Sequence, residues 1–353
     1  MASTHTYRTL DGIRGVAAIS VFVWHFSDLF GFRPGSGYLA VDLFFCLSGF
    51  VLSYAYGKKL DQGSISWRHF MGLRLIRLYP LYLLSLALMI LSLLITISLH
   101  LPTNWTFKDI FTSTVFSIFF LPTPPLHSES VFPLNNPAWS LFFELMVNLS
   151  YALVAAKLTV GRLHAVILVS AVFLVAAGLV SGSLDLGGNW STILTGTPRV
   201  FFSFFVGIRL QNLKIRLRLN SFLVLLLAGT ILAIDPGPYR ALYDLFCVLI
   251  VVPGLVAAGS NCEPPKILNS VCWILGSTSY ALYVLHVPAT AGISGILKKM
   301  VGHMYAPESG ILILAALLAA SLFLDKYFDN PIRKNLAAIL RRSLPIASPR
   351  SVR

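Results

Sequence analysis

LDGIRGVAAISVFVWHFSDLF, residues 10–30, is an apolar stretch with an arginine near its start and a histidine near its far end. As a helix rising about 1.5 Å per residue, it sets Arg14 and His25 roughly 16 Å apart in depth. Ionisable groups at mid-bilayer cost on the order of 2.5–3.5 kcal/mol each, so a span that keeps two of them puts them to use. The stretch reads as a membrane helix that carries a reactive line from one face of the bilayer towards the other.

The rest of the chain agrees. Of its 353 residues, 56% are hydrophobic and only 12% charged, half the ~25% usual in soluble domains. Apolar runs such as residues 83–99 recur along the whole length and approach the ~20 residues that a spanning helix needs. The expected fold class is therefore an all-α polytopic membrane protein. The first residues hold no separate apolar segment of the signal-peptide kind, so the first span is expected to serve as its own anchor. A net charge of +13 fits the excess of Lys and Arg in cytoplasmic loops. Nucleic acid is excluded as a partner, because no basic run interleaves with stacking aromatics in a soluble segment. Cys46, Cys247, Cys262 and Cys272 form no CxxC pair and no metal spacing, so no metal is expected.

Apolar runs between polar breaks predict about ten spans, near 12–30, 39–57, 77–99, 139–156, 163–181, 197–211, 220–235, 241–259, 274–296 and 310–327. Residues 110–121 are apolar but short, and they run into LPTPPL, so they read as a re-entrant or interfacial segment. With that piece not crossing, most of the 27 Lys and Arg fall on the cytoplasmic side and both termini are cytoplasmic. With it crossing, only a minority do. The domains expected are a membrane domain at 1–335 and a basic cytoplasmic tail at 336–353, lying on anionic inner-leaflet lipid.

Depth then picks out candidates. His25, Asp42 and Glu144 come from three different spans at a similar level in the outer third of the bilayer. A carboxylate beside a histidine orients the ring and raises its basicity, the arrangement of general-base catalysis on a hydroxyl. The other reading is a buried polar cluster that locks helices together. On the cytoplasmic side, RLIRLYP places Arg74 and Arg77 on one helix face. Guanidinium forks at that spacing suit phosphates or a pyrophosphate, although topology also asks for cations there. Pro80 is expected in the first turn of its span. Ser48 and Gly49 sit mid-membrane, where a small pair permits close helix packing. A nucleophilic Ser48 lacks an evident base at its depth. His286 is either a packing histidine or part of the same cavity. Trp105, Trp190 and Tyr38 are aromatics of the interfacial belt or of a sugar site.

Five stretches together resemble the integral-membrane acyltransferase family 3, whose bacterial members O-acylate cell-surface and exported glycans. LDGIRGVAAISVFVWH carries the family's basic residue and histidine separated by ten residues, Arg14 and His25. VDLFFCLSGFVLS carries Asp42, Ser48 and Gly49, and RLIRLYPLY carries Arg74 and Arg77. NPAWSLFFELM carries Trp139 and Glu144, and GSTSYALYVLHVP ends the series near His286. The last helix departs from the family's Glu-x-Pro ending, reading FDNPIR with Asp329, at a cytoplasmic end expected to lie away from the chemistry.

The resemblance implies a multi-pass inner-membrane enzyme of bacterial type, with acyl-CoA (acetyl-CoA foremost) as donor and a hydroxyl of a sugar or glycan as acceptor. Arg14, Arg74 and Arg77 would hold the CoA phosphates. His25, oriented by Glu144 or Asp42, would act as general base or as a covalent acyl relay. Without the esterase-like domain that some members append, acceptor delivery would rest on the membrane domain or on a partner protein. The alternative is a transporter or flippase of a glycolipid or solute that uses the intramembrane His and carboxylates. Against it, the chain shows no paired Gly/Pro-broken helices and no inverted halves.

Overall fold

A computed structural model describes residues 6–126, 128–213, 215, 217, 219–301 and 306–343, with side chains except those of 291–301. Eleven helices follow one another: α1 (Arg8–His25), α2 (Gly37–Asp61), α3 (Trp67–Ser98), α4 (Phe107–Ile118), α5 (Ala138–Lys157), α6 (Val160–Ser181), α7 (Ile193–Leu213), α8 (Ser221–Ala233), α9 (Gly237–Gly259), α10 (Lys266–Val301) and α11 (Glu308–Ser343). Among the described residues there is no strand, only an isolated bridge between Ser130 and Asn189. Eight of the helices are long and apolar enough to cross a membrane: α2, α3, α5, α6, α7, α9, α10 and α11. The other two predicted spans are α1, whose first turns carry Arg8, Asp11 and Arg14, and α8, only 13 residues long.

Helix ends follow the local chemistry. Ser66 caps α3 by accepting from the backbone N–H of His69, Thr106 and Asp109 form a capping box at α4, and Gly182 closes α6 at φ +72°. Residues such as Val172, Phe173 and Val180 leave the outer face of α6 strongly apolar and exposed, as a lipid-facing surface requires. The centre is built by close approach. An added Cβ at Gly49 would fall 2.0 Å from the Phe204 carbonyl, and one at Gly207 2.1 Å from that of Cys46, so α2 and α7 touch backbone to backbone. Gly15 does the same for α1 against Leu275 of α10.

One expectation changes, and two others gain detail. The third span was placed at 77–99, with Pro80 in its first turn, but α3 begins at Trp67 and Pro80 lies in its interior. The helix simply continues below the apolar run, and Pro80 deprives the Ile76 carbonyl of its partner. The short apolar piece is α4, whose last carbonyls accept from α3: Tyr82 Oη to Ser117 at 2.8 Å and Tyr79 Oη to Ile118 at 2.7 Å. The chain then turns at Phe120 (φ +53°) and returns as irregular backbone. Asn135 anchors that return through Ser85 Oγ (3.0 Å) and the Val284 carbonyl (2.9 Å), and with Val131, Phe132 and Leu134 it is buried in protein. Finally, α11 runs unbroken past residue 335 to Ser343, and residues 344–353 of the expected tail lie outside the described residues.

Candidate active site

Two chambers open along the molecule, and α1 supplies both. The larger, about 310 Å³, is lined by Arg14, Ser48, Arg74, Arg77 and Glu144. The smaller, about 170 Å³, is lined by His25, Trp24, Tyr38, Asn136, Trp139 and Asp185, among others. They meet at Val41 of α2 and Tyr283 of α10, which border both.

In the arginine chamber each guanidinium has a partner. Arg14 bonds Ser279 Oγ (2.9 Å), the Gly276 carbonyl (2.9 Å) and Asp11 (3.1 Å). Arg74 Nη2 donates to Glu144 Oε1, which also accepts from Ser48 Oγ at 3.2 Å. The Arg74 Nε is buried without a partner. Arg77 lies over the Tyr280 ring at 4.9 Å and bonds Asp329 Oδ2 at 3.3 Å, where Arg333 also donates at 2.9 Å. Asp329 is fully buried, so the departure at FDNPIR sits beside the arginine pair rather than away from it. The π-turn Asp325–Asp329 in α11 bulges the helix at that carboxylate.

The histidine chamber holds no such pairs at its centre. His25 Nδ1 lies 2.9 Å from the Val21 carbonyl. A carbonyl only accepts, so Nδ1 carries the proton and Nε2 keeps its lone pair. Indole and phenol walls surround it, with Trp24 edge-on at 4.8 Å. The irregular segments before α5 and before α7 close the far side: Val131 N–H bonds the Gly188 carbonyl (3.1 Å) and Trp190 Nε1 the Thr123 carbonyl (2.9 Å). Trp190 thus ties loops together. Tyr38 faces the chamber and holds its hydroxyl on Asp244, 2.7–2.8 Å from both carboxylate oxygens.

The expected meeting of His25, Asp42 and Glu144 does not occur. Similar depth does not fix which way a helix face turns, and each carboxylate has found its own arginine. Glu144 belongs to the other chamber. Asp42 borders neither; it is fully buried against Arg199, whose Nε and Nη2 approach it at 2.7–3.0 Å. Arg199 also donates to the Tyr38 carbonyl (2.7 Å) and the Leu186 carbonyl (3.1 Å), holding two walls of the histidine chamber. Arg199 was not singled out from the sequence, although it lies inside the predicted span 197–211; its signal was a lone arginine in the apolar TGTPRVFF that needs a buried carboxylate. Ser48, thought to lack a base, has Glu144 within reach. His286 is buried, with its ring 5.0 Å from that of His25. Among the described residues no group of His, Cys, Asp and Glu could hold a metal ion.

Comparison with known proteins gives the family. The Acyltransferase domain profile matches residues 7–324. The chain belongs to that family. It is 46% identical over 176 residues to "Protein 2 in picA locus" of Rhizobium radiobacter, covering 48% of this chain and 92% of that protein. It is 26% identical over 309 residues to the "Exopolysaccharide production protein ExoZ" of Rhizobium meliloti, covering 82% of this chain and 90% of the relative. It is 25% identical over 367 residues to the "Peptidoglycan O-acetyltransferase OatA" of Listeria monocytogenes, covering 93% of this chain but only 56% of OatA. No solved structure matches it. The protein is thus a multi-pass membrane acyltransferase, and the transporter reading falls away.

Proposed function

We propose that this acyltransferase takes an acetyl group from acetyl-CoA bound in the arginine chamber and delivers it to a hydroxyl of a sugar or glycan held in the histidine chamber. The observation that carries this reading is the division itself: cations lie on one side of Val41 and Tyr283, and a histidine with a free Nε2 among aromatic and amide side chains lies on the other. The arginine chamber, with Arg341 and Arg342 on the nearby end of α11, belongs to the cytoplasmic face of an inner membrane under the positive-inside rule. Both termini then lie in the cytoplasm.

Arg14, Arg74 and Arg77 hold the CoA phosphates, whose oxygens guanidinium forks bind well, and the buried Arg74 Nε has no partner of its own. The pantetheine arm leads the thioester to the neck at Tyr283. On the far side, Trp24, Trp139 and Tyr38 offer faces for a sugar ring, while Asn136, Asn189 and Asp185 offer hydrogen bonds to its hydroxyls. His25 Nε2 removes the acceptor's proton as its oxygen attacks the thioester carbon; the tetrahedral intermediate collapses and the C–S bond breaks. Asp42 acts on this centre through Arg199, which fixes the chamber walls, and Glu144 positions Arg74.

The test is thiol release from acetyl-CoA by the purified protein in nanodiscs, supplied with a bacterial envelope glycan extract, comparing wild type with His25→Ala. Release that disappears in the variant while acetyl-CoA still binds supports the reading. Equal release by both proteins, or no binding of acetyl-CoA by wild type, overturns it.

A further inference from the structure

His286 is the one buried titratable side chain beside His25 that the scheme above leaves unused. It is 1% exposed, set in α10 among the rings of Phe22 (6.4 Å), Phe26 (6.0 Å) and Tyr283 (6.0 Å), with His25 nearest at 5.0 Å. Its Nδ1 lies 3.1 Å from the Leu282 carbonyl four residues back, repeating on α10 what His25 does with Val21 on α1. Both rings therefore carry their proton on Nδ1 and a lone pair on Nε2. The Nε2 of His286 is buried and has no partner. A phenylalanine or leucine would fill such an aromatic box without stranding a polar atom.

We infer that His286 is a positioning residue for the transfer step, the acceptor that holds the protonated form of His25. This rests on His25 acting as the base. While both imidazoles are neutral, with their rings 5.0 Å apart, each keeps a lone pair on Nε2 and neither can donate to the other there. When the acceptor's O–H bond breaks, its electron pair forms the new C–O bond and the proton goes to His25 Nε2, which becomes a donor. His286 Nε2 can then accept a hydrogen bond from it, and its stranded lone pair is satisfied. The C–S bond breaks, the CoA thiolate leaves, and the proton passes from His25 to the thiolate, returning both rings to their starting state. The contact exists only after proton transfer has begun, so it favours the transition state over the ground state.

Kinetics of thiol release with acetyl-CoA, beside acetyl-CoA binding and thermal melting, test this in four variants. His286→Phe keeps the aromatic packing and removes the acceptor. His286→Gln keeps an acceptor near the position of Nε2, whereas His286→Asn reaches only as far as Nδ1. The expected result is a kcat lowered about tenfold or more in His286→Phe, with KM and melting unchanged, and with much of the rate restored in His286→Gln but not in His286→Asn. A His286→Phe rate within twofold of wild type overturns the inference. So does an equal loss in all three substitutions that follows the melting temperature, because that marks a packing role. The fourth variant, His25→Ala, separates the two ideas: if it keeps full activity, the general-base reading fails whatever His286 does, and if it is inactive while His286→Phe is normal, only the role of His286 fails.

Discussion

The two chambers are built by opposite rules. In the larger one, charge is abundant and already paired: Arg14 with Asp11, Arg74 with Glu144, Arg77 with Asp329. In the smaller one a single histidine, held by its own backbone, stands among indoles, two phenols, amides and the carboxyl group of Asp185. Paired arginines cost less to keep within a membrane protein, and they can exchange a carboxylate for a phosphate without major rearrangement. A neutral histidine with one nitrogen committed is ready to take a proton at the other. On the proposed reading, holding a donor and activating an acceptor are tasks for separate chambers, with Val41 and Tyr283 between them. The fourth carboxylate–arginine pair, Asp42 with Arg199, shows what such a pair does when neither chamber reaches it: it becomes a girder.

The comparison is broken most severely at His25. His25→Ala should lower transfer by about two to four orders of magnitude, the range of a lost general base, while acetyl-CoA binding at the other chamber stays as it was. Isothermal titration beside the thiol assay checks both halves of that statement.

Next comes the girder. Arg199→Leu leaves a fully buried Asp42 without its partner, and stranding one member of such a pair costs about 3–5 kcal/mol. A marked drop in thermal stability in detergent or nanodisc is the expected outcome. The double variant Asp42→Leu/Arg199→Leu removes both charges and should recover most of that stability. It should not recover full activity, because nothing then holds the Tyr38 and Leu186 carbonyls at the histidine chamber. Stability and turnover parting in the double variant separates wall-positioning from simple folding.

A smaller loss is expected from the donor side. Arg74→Ala removes a guanidinium that has an unpartnered Nε and leaves Glu144 facing the chamber. A hydrogen bond to a charged group is worth about 1.5–3 kcal/mol, so acetyl-CoA affinity should fall by roughly ten- to a hundredfold. A binding constant unchanged by this substitution would move the phosphates away from Arg74.

These contrasts also mark what the amino-acid sequence could and could not disclose. Helix number and order were legible, because apolar runs and their breaks are local properties, and α4 was recognisable as too short to cross. The distance from Arg14 to His25 was legible too, since one helix carries both and its rise is constant. Azimuth was not. Asp42 and His25 were expected at one level, but α2 turns Asp42 towards α7, where the close approach of Gly49 to the Phe204 carbonyl and of Gly207 to the Cys46 carbonyl lets Arg199 meet it. The partner lies 157 residues away along the chain, beyond any local pattern. Asp329 escaped for the same reason: its place beside Arg77 depends on how α11 folds back on α3. The walls of the histidine chamber come largely from irregular segments whose course is set by single anchors such as Asn135, which periodicity does not reveal.

The finest test concerns the neck between the chambers. Tyr283 is held there by Ser140 Oγ at 2.6 Å and packs against Phe44 at 5.3 Å, and Val41 faces it from α2. On the proposed reading an acyl group passes these side chains to reach a hydroxyl beside His25, and the gap they leave would set the size of group that is transferred. Val41→Ala removes two methyl groups from one side of the neck without disturbing the Tyr283–Ser140 bond. A pocket discriminates by about 1–3 kcal/mol for each methylene it accepts or rejects. The variant should therefore raise use of butyryl-CoA relative to acetyl-CoA by about tenfold, with acetyl transfer itself little changed. Thiol release measured over a series of acyl-CoA chain lengths reads this directly. A profile identical to wild type would place the size limit elsewhere and leave Val41 as packing alone.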